Sequence, residues 1–269
     1  MSSCDQKLPH AILETIVYFD LFSYPLTTLE VWRNLKIKAR YGEVHQMLSQ
    51  SPWLKLRVSS AQGMWYLQGR NESIGERQKR YRISKHKIDI ARKFARLARR
   101  IPWIAEIYAC NSLGFLHART ASDIDLFIVV KRGRIWCARF FSVILAKLFG
   151  RPSGTHMKDA ICLSFFAVEG ARMKTLALAG EDIYFRNWLT YLLPLYLQGG
   201  EHRTNNRIGN VFEALFRALQ MKIMPAHLKA MANKGTSVII NEEFLKFHDH
   251  DRRDYFRKEF ESRFSALNN

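Results

Sequence analysis

Residues 107–130 read I-Y-A-C-N-S-L-G-F-L-H-A-R-T-A-S-D-I-D-L-F-I-V-V and contain two apolar runs separated by a more polar segment. The second run, residues 124–130, is short and rich in β-branched side chains, which predicts a buried strand. Successive strand side chains alternate between faces, so Asp123 and Asp125 are expected to project together while Ile124 points into the core. Adjacent carboxylates at the mouth of a buried strand repel each other unless a cation lies between them. The pattern therefore predicts a site for a hard divalent cation such as Mg²⁺.

The first apolar run predicts a second strand, over residues 104–110. Asn111 and Ser112 follow it, where a strand would turn into a helix. Backbone amides and a hydroxyl at such a turn are suited to holding phosphate oxygens. The sequence thus predicts phosphate binding close to the carboxylate pair.

This arrangement resembles the nucleotidyltransferase superfamily that includes DNA polymerase β and the minimal nucleotidyltransferases. The family pattern is an apolar strand, Gly-Ser, a short helix, and Asp-x-Asp opening the next strand, and the spacing from Ser112 to Asp123 matches it. Ala118, Arg119 and Ser122 also occupy places where the minimal members carry Ala-Arg and a serine before the acids. The resemblance covers roughly a quarter of the chain strongly.

The resemblance implies an enzyme that transfers a nucleoside monophosphate from an NTP to a hydroxyl of a protein, an RNA end or a small molecule. The implied cofactor is Mg²⁺, or Mn²⁺ in its place. In-line attack on the α-phosphorus would be assisted by metal. The implied catalytic and metal-binding residues are Asp123 and Asp125, and the implied nucleotide-binding residues are Asn111, Ser112, Arg119 and Ser122.

Two departures from the family pattern favour an alternative function. Asn111 replaces the glycine of the motif, although asparagine tolerates positive φ better than most residues. The third carboxylate is expected on a later strand, predicted over residues 160–168, whose central inward position is Ser164; Asp159 and Glu169 flank that strand. The alternative is a catalytically degenerate nucleotidyltransferase-fold protein that binds nucleotide or nucleic acid in a regulatory role.

The N-terminal region, residues 1–72, resembles a winged-helix domain in outline. Thr27 and Glu30 have the spacing of a capping box that opens the second helix. The third helix is hardly cationic, so reading of a DNA major groove is poorly supported, and a packing or protein-contact role is an equal alternative. The predicted elements are helices at 11–22, 27–35 and 42–50, a strand at 54–58, a turn at 59–63 and a second strand at 64–67.

A basic helix is predicted over residues 73–100 as a linker between domains. Residues 77–100 contain eleven Lys or Arg and one acid. Ile83, Ile90 and Phe94 recur at helical intervals, which indicates an amphipathic helix with a basic exterior. This exterior is a candidate nucleic-acid contact, and a solvated face of a connecting helix is the alternative.

The rest of the chain is divided into a nucleotidyltransferase domain at 101–178 and a helical C-terminal region at 179–269. Within the former we expect a helix at 135–149 and the strand at 160–168. The whole is therefore predicted to be α+β, with a nucleotidyltransferase-type mixed sheet and flanking helices. The helices expected in the C-terminal region begin near 181 and span 205–221 and 242–267.

The charge of the chain is strongly positive, with 42 Lys and Arg against 24 Asp and Glu. The resulting net charge of +18 favours polyanionic partners, of which nucleic acid is the first candidate. No apolar stretch has the length of a membrane span, and the N-terminus lacks the features of a signal peptide. A cytoplasmic, prokaryotic protein without a membrane partner is expected, and nothing in the sequence specifies an oligomeric state.

Overall fold

Helices and strands form two compact units in the computed structural model, which describes residues 7–152, 154, 157–179, 182–198, 207–248 and 251–268. One unit comprises residues 1–81 with 252–269, and the other residues 82–251. Both contain helices and sheet, so the fold is mixed α+β. No helix of the described residues is long and apolar enough to cross a bilayer.

The first unit contains a three-stranded antiparallel sheet in the order β1-β3-β2. A long helix, α5, starts in this unit and continues into the second. The elements are α1 (Lys7–Asp20), β1 (Leu26–Thr27), α2 (Thr28–Asn34), α3 (Tyr41–Gln50), α4 (Pro52–Lys55), β2 (Val58–Ala61), β3 (Met64–Leu67), α5 (Glu72–Ala98) and α11 (Arg253–Asn268).

The predicted capping box at the start of α2 is confirmed. The Thr27 hydroxyl accepts a hydrogen bond from the Glu30 amide at 3.3 Å, and the Glu30 carboxylate accepts one from the Thr27 amide at 2.8 Å. Arg77 on α5 forms an ion pair with Glu30 at 2.7 Å. Burial raises the pKa of Glu30, but its bonds to Arg77 and Thr27 outweigh this and lower the pKa below the ordinary value.

The predicted hairpin is wrong at its first strand and its turn. Residues 52–55 are helical because the Ser51 hydroxyl accepts a hydrogen bond from the Leu54 amide and Pro52 occupies the first helical position. The strand starts at Val58, and the turn is Gln62-Gly63 alone, with φ of 53° and 73°. A two-residue loop with both residues left-handed matches the twist of a β-hairpin.

The second unit contains a six-stranded mixed sheet in the order β7-β4-β5-β6-β9-β8. Strands β5 and β6 are parallel, and the other neighbours are antiparallel. Besides part of α5, its elements are β4 (Ile104–Ala109), α6 (Asn111–Gly114), β5 (Ile124–Val130), α7 (Ile135–Leu148), β6 (Ile161–Val168), a 3₁₀ turn (Met173–Leu176), α8 (Ile183–Thr190), β7 (Leu193–Leu197), α9 (Arg207–Ile223), α10 (Ala226–Met231), β8 (Val238–Ile240) and β9 (Phe244–Phe247).

The prediction of a helical region after residue 178 is wrong in part: α8 and α9 lie where helices were expected, but the region also contains strands. Three strands from this region extend the sheet: β7 pairs with β4, and the hairpin of β8 and β9 pairs with β6. The predicted helix at 242–267 is instead β9 followed by α11. The apolar runs of these strands are short enough to form either a helix or a strand. They form strands because they can pair with β4 and β6 at the two edges of the sheet. Residues 199–206 and 249–250 of this region lie outside the described residues.

The core of the second unit lies between its sheet and the helices α5 and α7. Ala91, Phe94 and Ala98 on α5 pack with sheet residues such as Ile107 and Phe166. The apolar face predicted for the basic helix is thus confirmed. Its packing fixes the position of the helix against the sheet, close to the segment that enters β5.

Candidate functional site

The end of β4 and the start of β5 lie side by side because these two strands are antiparallel. Ala109 pairs with Leu126, and the Cys110 amide donates a hydrogen bond to the Asp125 carbonyl at 3.1 Å. Asn111 follows directly and begins α6. The structure therefore brings the Asn-Ser turn next to the second aspartate.

Asn111 has the backbone conformation that a glycine would adopt at this turn. Its φ is +53°, in the left-handed region where asparagine is among the tolerated residues. Its side chain hydrogen-bonds the Asp125 carboxylate, and its Oδ1 accepts a bond from Trp188 Nε1 at 3.0 Å. Trp188 is itself held against Phe165, with ring centroids 5.4 Å apart. The residue that replaces the expected glycine thus orients a predicted metal ligand.

The Asp125 carboxylate lies in surroundings that disfavour its ionised form. The residue is partly exposed, and desolvation by the surrounding protein raises the pKa of its carboxyl. Hydrogen bonds from Asn111 and Cys162 and the charge of Lys87 oppose the rise, and the charge of Asp123 adds to it. The net pKa of Asp125 is raised, so a cation held by both aspartates would relieve an unfavourable charge arrangement.

Strand β6 presents neutral side chains beside Asp125. The residue paired with Asp125 is Cys162, whereas the sequence predicted Ser164 as the central inward position. Ser164 is next on the same face, and its Oγ lies 3.2 Å from the Cys162 sulfur. Burial first, and then the charge of Asp125, raises the pKa of Cys162 to about 12. A neutral thiol that interacts with both Asp125 and Ser164 therefore lies where a third carboxylate was sought.

The two flanking carboxylates are directed elsewhere. Glu169 lies at the opposite end of β6, where its amide donates to the Val130 carbonyl at 2.8 Å. Asp159 is buried and forms an ion pair with Lys87. Among the residues that the structure describes, no three His, Cys, Asp or Glu side chains converge as a metal-binding group.

Lys87 is a residue of the site that sequence reasoning missed. It lies on α5 with 1% of its surface exposed. Its Nζ donates to the carbonyls of Ser122 at 2.5 Å and Thr120 at 3.3 Å and to the Asp159 carboxylate. It therefore ties the segment leading into the aspartate pair to the loop before β6. Its position was readable from the sequence, four residues after Ile83 and seven before Phe94, on the apolar face of the helix.

The other predicted residues surround this centre with differing exposure. Ser112, Ser122 and Asp123 are partly exposed, and Arg119 is exposed. The Ser122 hydroxyl donates to the Arg119 carbonyl at 2.8 Å, which closes a turn before the aspartates. Within the described residues, no hydrogen bond or ion pair joins the Arg119 guanidinium to the rest of the site.

The donor set fits one Mg²⁺ ion completed by a substrate. Mg²⁺ in phosphate-transfer sites is usually bound by one or two carboxylates together with substrate phosphates and water. Asp123, directly before β5, and Asp125, the second residue of β5, supply two carboxylates. Cys162 and Ser164 are neutral neighbours that add no anionic ligand.

The close approach of α6 to the chain after α8 gives a testable consequence. A Cβ on Gly114 would lie 2.2 Å from the Tyr191 carbonyl oxygen and 3.4 Å from that of Ala109. We expect Gly114→Ala to lower the free energy of unfolding by about 1–3 kcal/mol, because the backbone must move to admit the methyl group. Gly235→Ala, where nothing lies within 4 Å, is the matched control. Equal urea-unfolding midpoints for both variants would contradict this packing.

Comparisons of the chain with known protein families, with curated proteins and with solved structures found no match.

Proposed function

We propose that this protein transfers a nucleoside monophosphate from an NTP to a hydroxyl acceptor with Mg²⁺. One observation carries the proposal: Asp123 and Asp125 open a buried strand, and the turn of Asn111 and Ser112 at the end of the antiparallel neighbour hydrogen-bonds the second aspartate. The motif order resembles that of nucleotidyltransferases, and the mixed sheet with flanking helices supports the same assignment.

Each residue of the site has a separate part in the proposed reaction. Asp123 and Asp125 would hold Mg²⁺, which when bound supplies positive charge to the triphosphate and to the leaving pyrophosphate. Ser112 and Arg119 would bind phosphate oxygens, for which the planar guanidinium is well suited. Asn111 keeps the Asp125 carboxylate in one orientation. The acceptor oxygen attacks the α-phosphorus, the bond to the β-phosphate breaks, and pyrophosphate leaves.

The order of elements in the first unit supports a winged-helix module. A helix, a short strand, two helices, a single helical turn (α4) and a hairpin follow one another, and the short strand pairs with the second strand of the hairpin. We place the protein in the cytoplasm, where NTPs and nucleic acids are both present.

A second candidate function has its own supporting observation. Cys162 and Ser164 stand beside Asp125 where active nucleotidyltransferases usually place a third carboxylate, and Lys87 engages Asp159. A degenerate domain that binds nucleotide or nucleic acid for regulation would need no such carboxylate.

Turnover of labelled nucleotides distinguishes the two functions. The full chain is incubated with each α-labelled NTP and Mg²⁺, with cell RNA and cell protein present as acceptors, and pyrophosphate release is measured in parallel. We expect label to appear on an acceptor together with pyrophosphate. Saturable NTP binding without release would favour the second function instead, and absence of both NTP binding and release would overturn the transferase and leave a degenerate domain that binds nucleic acid.

A further inference from the structure

The solvent face of α5 and of the turn after it carries a row of cationic side chains. We define the basic stripe as Arg82, Arg92, Lys93, Arg96, Arg99 and Arg100, all exposed and all in the second unit. The intervals between them keep the six on one side of a helix. At 1.5 Å per residue the stripe is about 27 Å long.

The charges of the basic stripe are largely uncompensated. Within the described part of the chain, five of its members form no ion pair, and Arg92 lies 3.8 Å from the exposed Asp89. By contrast, Arg77 and Arg80 earlier on the same helix are paired with Glu30 and Glu76. Like charges three or four residues apart on a helix destabilise it by a few tenths of a kcal/mol per pair. A stripe kept without acidic partners is therefore suited to an anionic partner from outside the chain.

The helix presents this stripe rigidly because its opposite face is buried. Ala91, Phe94, Ala95 and Ala98 are buried against the sheet, and Lys87 is anchored below the aspartate segment. A ligand bound along the stripe therefore meets a fixed row of charges, with little ordering of the backbone required on binding.

We propose that the basic stripe binds the phosphate backbone of a nucleic acid, and that this nucleic acid is the acceptor. The second part rests on the proposed function. Five of the six side chains are arginines, whose planar fork matches phosphate oxygens. The stripe length equals the axial rise of about eight nucleotides of one duplex strand at about 3.4 Å each.

An anionic membrane fits the same surface less well. Helices that lie on membranes insert large apolar side chains beside their basic residues. Over residues 82–100 no large apolar side chain is exposed. The stripe offers positive charge but no apolar anchor. A phosphate backbone needs only the charge, whereas stable binding to a membrane also needs the apolar side chains.

The inner face of α5 connects this surface to the proposed catalytic segment. Lys87 bonds the Ser122 carbonyl, and Ser122 immediately precedes Asp123. The helix that would hold the acceptor therefore also holds the segment that would bind the metal.

Anisotropy of labelled nucleic acids tests the stripe without NTP or Mg²⁺. The probes are a 20-nucleotide single-stranded RNA, the same DNA sequence, and a DNA duplex, titrated with the full chain over a range of salt concentrations. We expect Arg92→Glu/Arg96→Glu/Arg99→Glu to weaken binding at least about tenfold and to reduce the salt slope by about three. The control Lys147→Glu/Lys174→Glu/Lys222→Glu removes the same charge from exposed sites elsewhere and is expected to weaken binding less than threefold.

A second variant with glutamine at the same three stripe positions guards against unfolding of the glutamate variant, because glutamine has a similar helix propensity to arginine. It is also expected to weaken binding of the probes. Equal losses in the stripe and control variants would overturn the proposal, as would binding to phosphatidylserine vesicles but to no nucleic acid. Stripe-dependent binding without nucleotide turnover would refute the proposed function and leave the surface standing, whereas turnover onto another acceptor with no nucleic-acid binding would refute the stripe alone.

Discussion

Asp125→Asn is expected to reduce nucleotidyl transfer at least about 100-fold, measured as pyrophosphate release from the preferred NTP at saturating Mg²⁺. Asparagine keeps the size of the side chain but removes the charge that would hold the metal. Because Asp125 also accepts the hydrogen bond from Asn111, an amide in its place loses a charge-assisted contact as well. Asp123→Asn is expected to act in the same direction.

The stability of the same variant is expected to change in the opposite sense. A carboxyl whose pKa is raised on folding contributes stability below its unfolded pKa and loses that contribution as the pH rises through its folded pKa. The pKa of Asp125 is raised from the ordinary 3.8, chiefly by desolvation. At neutral pH without metal, Asp125→Asn should therefore unfold at a urea concentration no lower than wild type does. Its advantage should shrink as the pH falls toward the ordinary aspartate range.

Asp89→Asn is the matched control for this prediction. Asp89 is an exposed carboxylate on α5 whose substitution leaves the aspartate pair intact. We expect its transfer rate to stay within about twofold of wild type. Transfer that survives in Asp125→Asn would show that this carboxylate is not a metal ligand, and a large loss of stability would show that its ionised form is well accommodated.

Signals that act within a few residues of one another were readable from the sequence. The capping box of Thr27 and Glu30 and the apolar strand after Asp123 each depend on local side-chain chemistry, and each was predicted with its residues. Asn111 was recognised as an occupant of a glycine position because asparagine tolerates positive φ. The structure gives it φ of +53° and adds two side-chain bonds that spacing alone could not reveal.

Features that depend on pairing between distant segments were not predictable in the same way. β7, β8 and β9 are three to five residues long, and their apolar runs fit a helix as well as a strand until a sheet edge is available. Ser164 was predicted as the central inward position of its strand, but which residue pairs with Asp125 depends on a register shift between Asp125 and Phe127, and that residue is Cys162. Bulges of this kind leave no mark in the alternation of a single strand.

Lys87 shows how composition can mislead. Its basic character places it with the exterior of α5, whereas its helical phase places it on the apolar face. The phase is the better guide, because a lysine can be buried when each of its donors finds an acceptor. Two carbonyls and the Asp159 carboxylate provide those acceptors here.

Lys87→Met is expected to destabilise the second unit by about 3–5 kcal/mol, since it leaves the buried Asp159 with only the longer ion pair to Arg151, at 3.8 Å. Hydrogen exchange of the β5 and α5 amides in the full chain measures this locally, without requiring the two units to unfold together. Lys93→Met, at an exposed position six residues further along the helix, is the control and should leave exchange nearly unchanged. Protection in Lys87→Met equal to that of the control would contradict a stabilising role for the pair.

Combining Lys87→Met with Asp159→Asn separates the buried charge from the packing. Replacing both members of a buried ion pair is often nearly neutral, so the double variant is expected to recover most of the lost stability. It should not recover nucleotide transfer if Lys87 positions the segment of Thr120 and Ser122 before the aspartates, because methionine donates no hydrogen bond to those carbonyls. Stability restored without activity would thus assign Lys87 a positioning role, whereas joint recovery of both would assign it to stability alone.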